Sequence, residues 1–119
     1  MFARIRQWFR DQRAWSAAHR AAWDPTAKKG EDGLSAFQRQ CSEALRIAVP
    51  ALMFEKHQGT SELYLVADLP NTKAKVYVYL DGSNIHETGN DFIAEEWDFK
   101  TPEELIQAVV EEARKRVAI

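Results

Sequence analysis

The stretch KVYVYLD, residues 75–81, decides the fold class. Its side chains alternate, as they do in a strand with one buried face: Val76, Val78 and Leu80 on one side, Tyr77 and Tyr79 on the other. The Asp-Gly pair at positions 81 and 82 is typical of a tight hairpin turn. The stretch therefore predicts a strand that pairs antiparallel with a neighbour in the sequence.

Further strands are predicted on both sides of this stretch. Residues 51–57 and 62–68 precede it, separated by short turns. Residues 85–88 and 92–97 follow it and form either a last strand or a hairpin around Gly89-Asn90. Because strands joined by short turns pair antiparallel, we expect a sheet of this kind, with Tyr64 on the same face as Tyr77 and Tyr79.

Three helices frame the predicted sheet. Residues 2–23 have a basic amphipathic pattern, residues 35–49 begin at a Ser N-cap and end before Pro50, and the last helix begins at Thr101. There Pro102 occupies the first helical position, and Glu104 is expected to complete a capping box with Thr101. The pattern predicts one two-layer α+β domain of order α-α-β-β-β-(β)-α, with the helices mainly on one face of an antiparallel sheet. Within residues 1–119 the divisions are a helix at 1–23, a loop at 24–33 and a body at 34–119.

The composition is that of a globular protein. Of 119 residues, 45% are hydrophobic and 29% charged, which is not typical of disorder. Cys41 is the single cysteine, so an intramolecular disulfide is excluded, and its position on the apolar side of a helix predicts burial. No apolar run approaches the roughly 20 residues of a spanning helix, and arginines interrupt the amino terminus, so a cytoplasmic location is expected.

The net charge of −2 hides an asymmetry. Residues 1–30 carry seven Lys and Arg against two Asp, whereas residues 31–119 carry nine Lys and Arg against sixteen acidic residues. A basic amphipathic helix with Trp and Phe suits three roles: packing on an acidic body, lying on an anionic membrane, or docking on nucleic acid. Packing on the body is the favoured interpretation.

Motifs for catalysis or for cofactors are absent from the sequence. The three histidines, His19, His57 and His86, are widely spaced and match no metal-ligand pattern. His86 and the adjacent Glu87 should point to opposite faces of a strand, which disfavours a dyad between them. There is no phosphate-binding loop and no nucleophile elbow. The sequence predicts neither an enzyme nor a bound cofactor or metal.

Carboxylates form the one dense chemical feature. On a strand, Glu96 and Asp98 would share one face, and Glu95 and Trp97 the other. Such a cluster can be ordinary solvation and helix capping, a surface that faces a partner, or a general acid–base or cation site. If the cluster is a surface that faces a partner, the candidate contact residues are Asp91, Glu95, Glu96, Asp98, Glu103 and Glu104, with Tyr77 and Tyr79 as second choices.

Three functional hypotheses follow. The leading one is a non-catalytic protein-binding module, an inhibitor of the immunity type that occupies a basic partner protein through an acidic surface. The first alternative is an adaptor recruited to a membrane or a complex by residues 2–23, and the second is a small enzyme that depends on carboxylates. Direct binding of nucleic acid is disfavoured, since the body is acidic and its tyrosine strands lack a basic stripe.

Overall fold

The computed structural model describes residues 33–60 and 62–118. The basic helix predicted at residues 2–23, and all of the loop 24–33 except Gly33, lie outside these ranges. The described elements, in chain order, are α1 (Ala36–Ala48), β1 (Glu55–Gln58), β2 (Leu63–Asp68), β3 (Lys75–Val78), β4 (Gly82–His86), β5 (Phe92–Glu95), a 3-10 turn (Glu96–Asp98) and α2 (Pro102–Val117).

The sheet is an antiparallel meander of five strands in the order β1-β2-β3-β4-β5. The α+β class is confirmed, and the hairpin alternative for residues 85–97 is the correct one, since both of its strands form. The predicted first strand begins too early. Leu52 donates its backbone N–H to the Val49 carbonyl at 3.0 Å, so residues 51–54 close the turn after α1 and pairing starts at Glu55.

The core lies between one face of the sheet and the two helices. In-register partners share a face, which places Leu65, Val78, Val76, Ile85 and Ala94 together on the helix side, all buried. Opposite them lie the buried side chains Phe37, Cys41, Leu45, Leu105, Val109 and Ala113 of the helices. The helices also contact each other, which completes the second layer. Within the described ranges, neither helix is long and apolar enough to cross a bilayer.

Both helices begin at the predicted caps. Ser35 Oγ accepts the N–H of Gln38 at 3.1 Å, and Gln38 Oε1 accepts the N–H of Ser35 at 3.0 Å, which completes a capping box. At α2, Thr101 Oγ1 accepts the N–H of Glu104 at 3.3 Å. The Glu104 carboxylate, however, accepts the N–H of Lys100 rather than that of Thr101. The reciprocal half of the box predicted there is therefore replaced by a bond one residue earlier.

Cys41 is fully buried, as its place on the helix predicts. Burial raises the pKa of its thiol to about 12, and a hydrogen bond with Ser83 only partly opposes that effect. We expect Cys41 to resist a thiol-reactive disulfide reagent at pH 8, because the thiol is both protonated and inaccessible. The same protein in denaturant provides the control and should react completely. Rapid stoichiometric labelling of the native protein would contradict the buried placement.

Candidate functional site

The face of the sheet opposite the two helices, here called the outer face, carries the candidate site. The strand register sets one row of side chains across it: Glu55, Val66, Tyr77, Asn84 and Ile93. Ile93, on the edge strand β5, is 59% exposed. Apolar and aromatic side chains therefore extend across the outer face toward β5.

Four rings pack together on this face and form an aromatic platform: His57, Tyr64, Tyr77 and Tyr79. The ring centroids of His57 and Tyr64 are 5.6 Å apart, those of Tyr64 and Tyr79 5.8 Å, and those of Tyr77 and Tyr79 6.2 Å with nearly parallel planes. Each such pair contributes about 0.5–1.5 kcal/mol beyond the burial of its area. The prediction that the three tyrosines share a face is confirmed, and the packing holds their rings in fixed positions.

A pocket of about 460 Å³ opens beside Tyr79, at the end of the outer face where β3 turns into β4. The lining residues are Glu62, Tyr79, Asp81, Gly82, Asn84, Ala94, Glu95, Glu96 and Trp97. Four of them are carboxylates, and none of the described residues that line the pocket is Lys or Arg. The described lining residues therefore contribute four carboxylates, a formal charge of −4, beside two aromatic side chains.

The pairing of β4 with β5 beside the pocket depends on a glycine. A Cβ at Gly82 would lie 2.9 Å from the carbonyl oxygen of Ala94, closer than side chains approach backbone atoms. The absence of a side chain at Gly82 thus lets β4 and β5 pair closely. The hairpin that carries Tyr79 is closed by a 2.8 Å bond from its N–H to the Gly82 carbonyl.

Tyr79 is half-buried where the aromatic platform meets the pocket. Its pKa is raised above the ordinary tyrosine value, chiefly by burial, with smaller contributions from Tyr77, Tyr64 and Glu62. The side chain therefore remains a neutral phenol at physiological pH. It can donate and accept hydrogen bonds at the rim of the acidic pocket.

The opposite end of the outer face carries one ion pair and one histidine–carboxylate contact. Asp68 and Lys75 form an ion pair at 2.7 Å, and His86 Nδ1 lies 2.8 Å from Asp91 Oδ1. Glu87 Oε1, on the next residue, lies 3.6 Å from Arg116 Nη1. Among the described residues, the carboxylates of the outer face are densest at the pocket end.

The residues proposed as partner contacts from the sequence fall in three places. Glu95, Glu96 and Tyr79 line the pocket, and Tyr77 belongs to the aromatic platform. Asp91 lies at the other end of the outer face. The remaining three lie elsewhere: Asp98 in the 3-10 turn, Glu103 and Glu104 in the first turn of α2.

Two expectations about these residues are wrong in detail. Glu96 and Asp98 do not share a strand face, because β5 ends at Glu95 and a 3-10 turn follows. Tyr79 lies just beyond the end of β3 rather than within it. The turn places both Glu96 and Trp97 at the pocket, whereas a strand would have directed them to opposite faces.

Sequence reasoning did not identify Glu62, Asp81 and Asn84 as part of this site. Glu62 immediately precedes β2, and Asp81 lies in the turn that follows β3. In an antiparallel pair, the start of one strand and the end of the next lie side by side at the same end of the two strands. Combining this rule with the predicted strands would have placed both carboxylates near each other.

The fold and the site define an α+β protein whose open antiparallel sheet presents an aromatic platform beside an acidic pocket. No family model, curated protein or solved structure matches the chain. Among the described residues, no group of three or more His, Cys, Asp or Glu could hold a metal ion. The chemistry of the outer face is therefore the basis for the functional argument.

Proposed function

We propose that the protein is a non-catalytic protein-binding module, an inhibitor of the immunity type whose outer face occupies a basic surface of a partner protein. The observation that carries the proposal is the juxtaposition of the aromatic platform and the acidic pocket on one face of the sheet. Tyr79 belongs to both and joins them into one surface.

The aromatic platform supplies what the core of a binding interface needs. Tyr and Trp are enriched among the side chains that contribute most to binding, because they bury much area and lose little conformational freedom. Here the tyrosine rings already pack against one another, two of them on strands and Tyr79 just after β3. Little further ordering is therefore required when a partner binds, which favours affinity.

The acidic pocket supplies orientation and selectivity. Four carboxylates at one end of the face attract a basic partner over a distance of about a Debye length, roughly 8–10 Å at physiological salt. They also repel acidic surfaces, nucleic acid among them. An inhibitor with such a face can cover a basic cleft that otherwise holds an anionic substrate.

The test compares two charge reversals of equal size. Glu95→Lys with Glu96→Lys alters the pocket, whereas Glu43→Lys with Glu111→Lys alters exposed positions on α1 and α2. The wild-type protein first captures partners from a lysate of its source, and each captured protein is purified and titrated against all three forms at low and moderate salt. We expect the pocket variant to lose about tenfold or more in affinity and to show a weaker salt dependence, because both lysines oppose a basic partner.

The helix variant should bind as the wild type does. Equal losses in both variants would mean that only overall charge matters, and the outer face would be the wrong surface. An unchanged affinity and salt dependence in the pocket variant would overturn the proposal. Circular dichroism of all three forms is the check that the substitutions leave the fold intact.

A further inference from the structure

We infer that the outer face is the docking surface for the chain's own basic amino-terminal segment, residues 2–23, so that a partner must displace this segment to bind there. Residues 2–23 lie outside the described ranges. Their docking follows from the sequence of the segment and the chemistry of the outer face, whereas the competition with a partner rests on the proposed function.

The outer face has an apolar and aromatic centre. Both described helices pack on the other face of the sheet. Val66 and the tyrosines of the aromatic platform are half-buried, and Ile93 is exposed. The five strands together are about 20 Å wide at roughly 4.8 Å between neighbours, which is about twice the roughly 10 Å diameter of a helix. One helix can therefore lie on this face and cover its centre.

The sequence of residues 2–23 supplies a matching apolar surface. At 100° per residue, six large apolar side chains fall on one side of the predicted helix: Phe2, Ile5, Trp8, Phe9, Trp15 and Trp23. An exposed apolar surface of this size is unusual on a folded domain and typically marks a contact. Tryptophan and phenylalanine rings pack favourably on tyrosine rings. The segment and the centre of the outer face are therefore complementary.

Charge favours the outer face over the groove between α1 and α2. That groove has an apolar centre, but Glu103 and Arg114 of opposite sign both line it. Among the described residues, the outer face and its two ends carry Lys75 and six carboxylates: Glu55, Glu62, Asp68, Asp81, Asp91 and Glu95. Residues 1–30 carry seven Lys and Arg against two Asp. Docking on the outer face therefore brings opposite charges together.

The chain enters the described structure close to this surface. A Cβ on Gly33 would lie 3.4 Å from Leu63 Cδ2, and Ser35 Oγ lies 3.5 Å from the Leu80 carbonyl oxygen. Gly33 and Ser35 therefore lie beside the start of β2 and the end of β3, where the acidic pocket opens. Residues 24–32 can span up to about 30 Å when extended. This length is enough for residues 2–23 to reach the middle of the outer face.

A spin label tests the position of the segment in the isotope-labelled full-length protein. Ala14→Cys introduces a thiol opposite the apolar side of the predicted helix, and Cys41 is buried, so a nitroxide reagent modifies the new position. We expect the amide signals of Asn84 and Ile93 to lose most of their intensity relative to the reduced label, while the signal of Ile47 on α1 keeps its intensity. The reverse pattern, or no loss at either place, would overturn the inference.

A mixed sample shows whether the docking is intramolecular. Isotope-labelled wild-type protein is combined with an equal amount of unlabelled protein that carries the nitroxide. We expect the outer-face signals of the wild-type protein to keep their intensity, because each chain covers its own sheet. Loss of those signals would mean that a second copy supplies the segment, and would overturn the inference as stated.

Charge reversal tests the electrostatic part of the docking. In the spin-labelled protein, Arg6→Glu with Arg10→Glu should restore the signals of the outer face, because these arginines flank the apolar side of the predicted helix. Arg46→Glu with Arg114→Glu alters exposed positions on α1 and α2 and is the matched control, which should leave the loss unchanged. Equal effects of the two pairs, or no effect of the first, would contradict the inference.

The competition is measured separately, with the captured partner proteins. Arg6→Glu with Arg10→Glu should tighten their binding, by about tenfold for a segment that occupies the face in about nine of ten molecules. An unchanged affinity would overturn the competition and leave the docking to the spin-label result. If the spin label contradicts docking while Glu95→Lys with Glu96→Lys still weakens partner binding, the inference fails and the proposed function stands.

Discussion

Replacement of Arg116 by Met is expected to lower the free energy of unfolding by about 2–4 kcal/mol. Breaking a fully buried ion pair costs about 3–5 kcal/mol. The expected loss is smaller here because the carboxylates that pair with Arg116 are partly exposed to solvent. The Arg116 side chain is only 7% exposed, although it lies near the end of a helix whose other late basic residues are exposed. Its Nε donates to Glu112 Oε1 at 3.1 Å, and its Nη1 lies 3.6 Å from Glu87 Oε1. Removing the guanidinium leaves both carboxylates close together without their cation.

Chemical denaturation of Arg116→Met measures this effect, and Arg114→Met is the matched control. Arg114 lies on the same helix but is exposed, so its loss should change stability by no more than about 0.5 kcal/mol. Adding Glu87→Gln to Arg116→Met should restore part of the lost stability, because it removes one of the two uncompensated charges. If both arginine variants were equally stable, the guanidinium would not join α2 to the loop after β4 as described.

Gln38→Ala is expected to lower the free energy of unfolding by about 3 kcal/mol. The substitution leaves buried backbone groups without hydrogen-bond partners, and each such group costs about 1–3 kcal/mol. Gln38 is fully buried on α1. Its Nε2 donates to the Leu63 carbonyl at 2.8 Å and to the Val78 carbonyl at 3.4 Å, while its Oε1 accepts the N–H of Ser35. One amide thus closes the helix N-terminus and joins the helix to two strands.

Gln40→Ala provides the comparison for Gln38→Ala, because Gln40 occupies the same helix and is exposed. The free energies of unfolding of the two variants, measured by heat and by urea, should differ by most of the predicted ~3 kcal/mol. Substitutions at exposed positions typically change stability by only about 0.5 kcal/mol or less. Similar midpoints for the two would show that the hydrogen bonds of Gln38 contribute little beyond those of water.

Gln38 and Arg116 also show where sequence reasoning stops. The helices were predictable because their signals are local: Ser35 precedes α1, Pro50 follows it, and Thr101-Pro102 opens α2. Burial of the two polar residues is not local. The Gln38 side chain donates hydrogen bonds to carbonyls 25 and 40 residues away in the sequence. The pattern of its own helix therefore does not predict these contacts.

The candidate site was also predictable only where local sequence determines it. The outward tyrosines followed from alternation in β2 and β3, which is a property of a single strand. The pocket required knowing that Glu62, Asp81 and Glu95 come from three separate strand ends and that the chain turns after β5. Density of acidic residues along the sequence therefore identified Glu95 and Glu96 but also selected Asp91 and Glu103, which the fold places elsewhere.

The meander order of the sheet has a consequence for how the chain reaches its native state. Every strand pairs with its neighbour in sequence across a connection of three to six residues, so the sheet has a low contact order. The docking of α1 against α2 is the exception, because these helices lie on either side of the whole sheet in the sequence. Loop closure over that span has the larger entropic cost, which makes the meeting of the helices, rather than strand pairing, the step that should limit the folding rate.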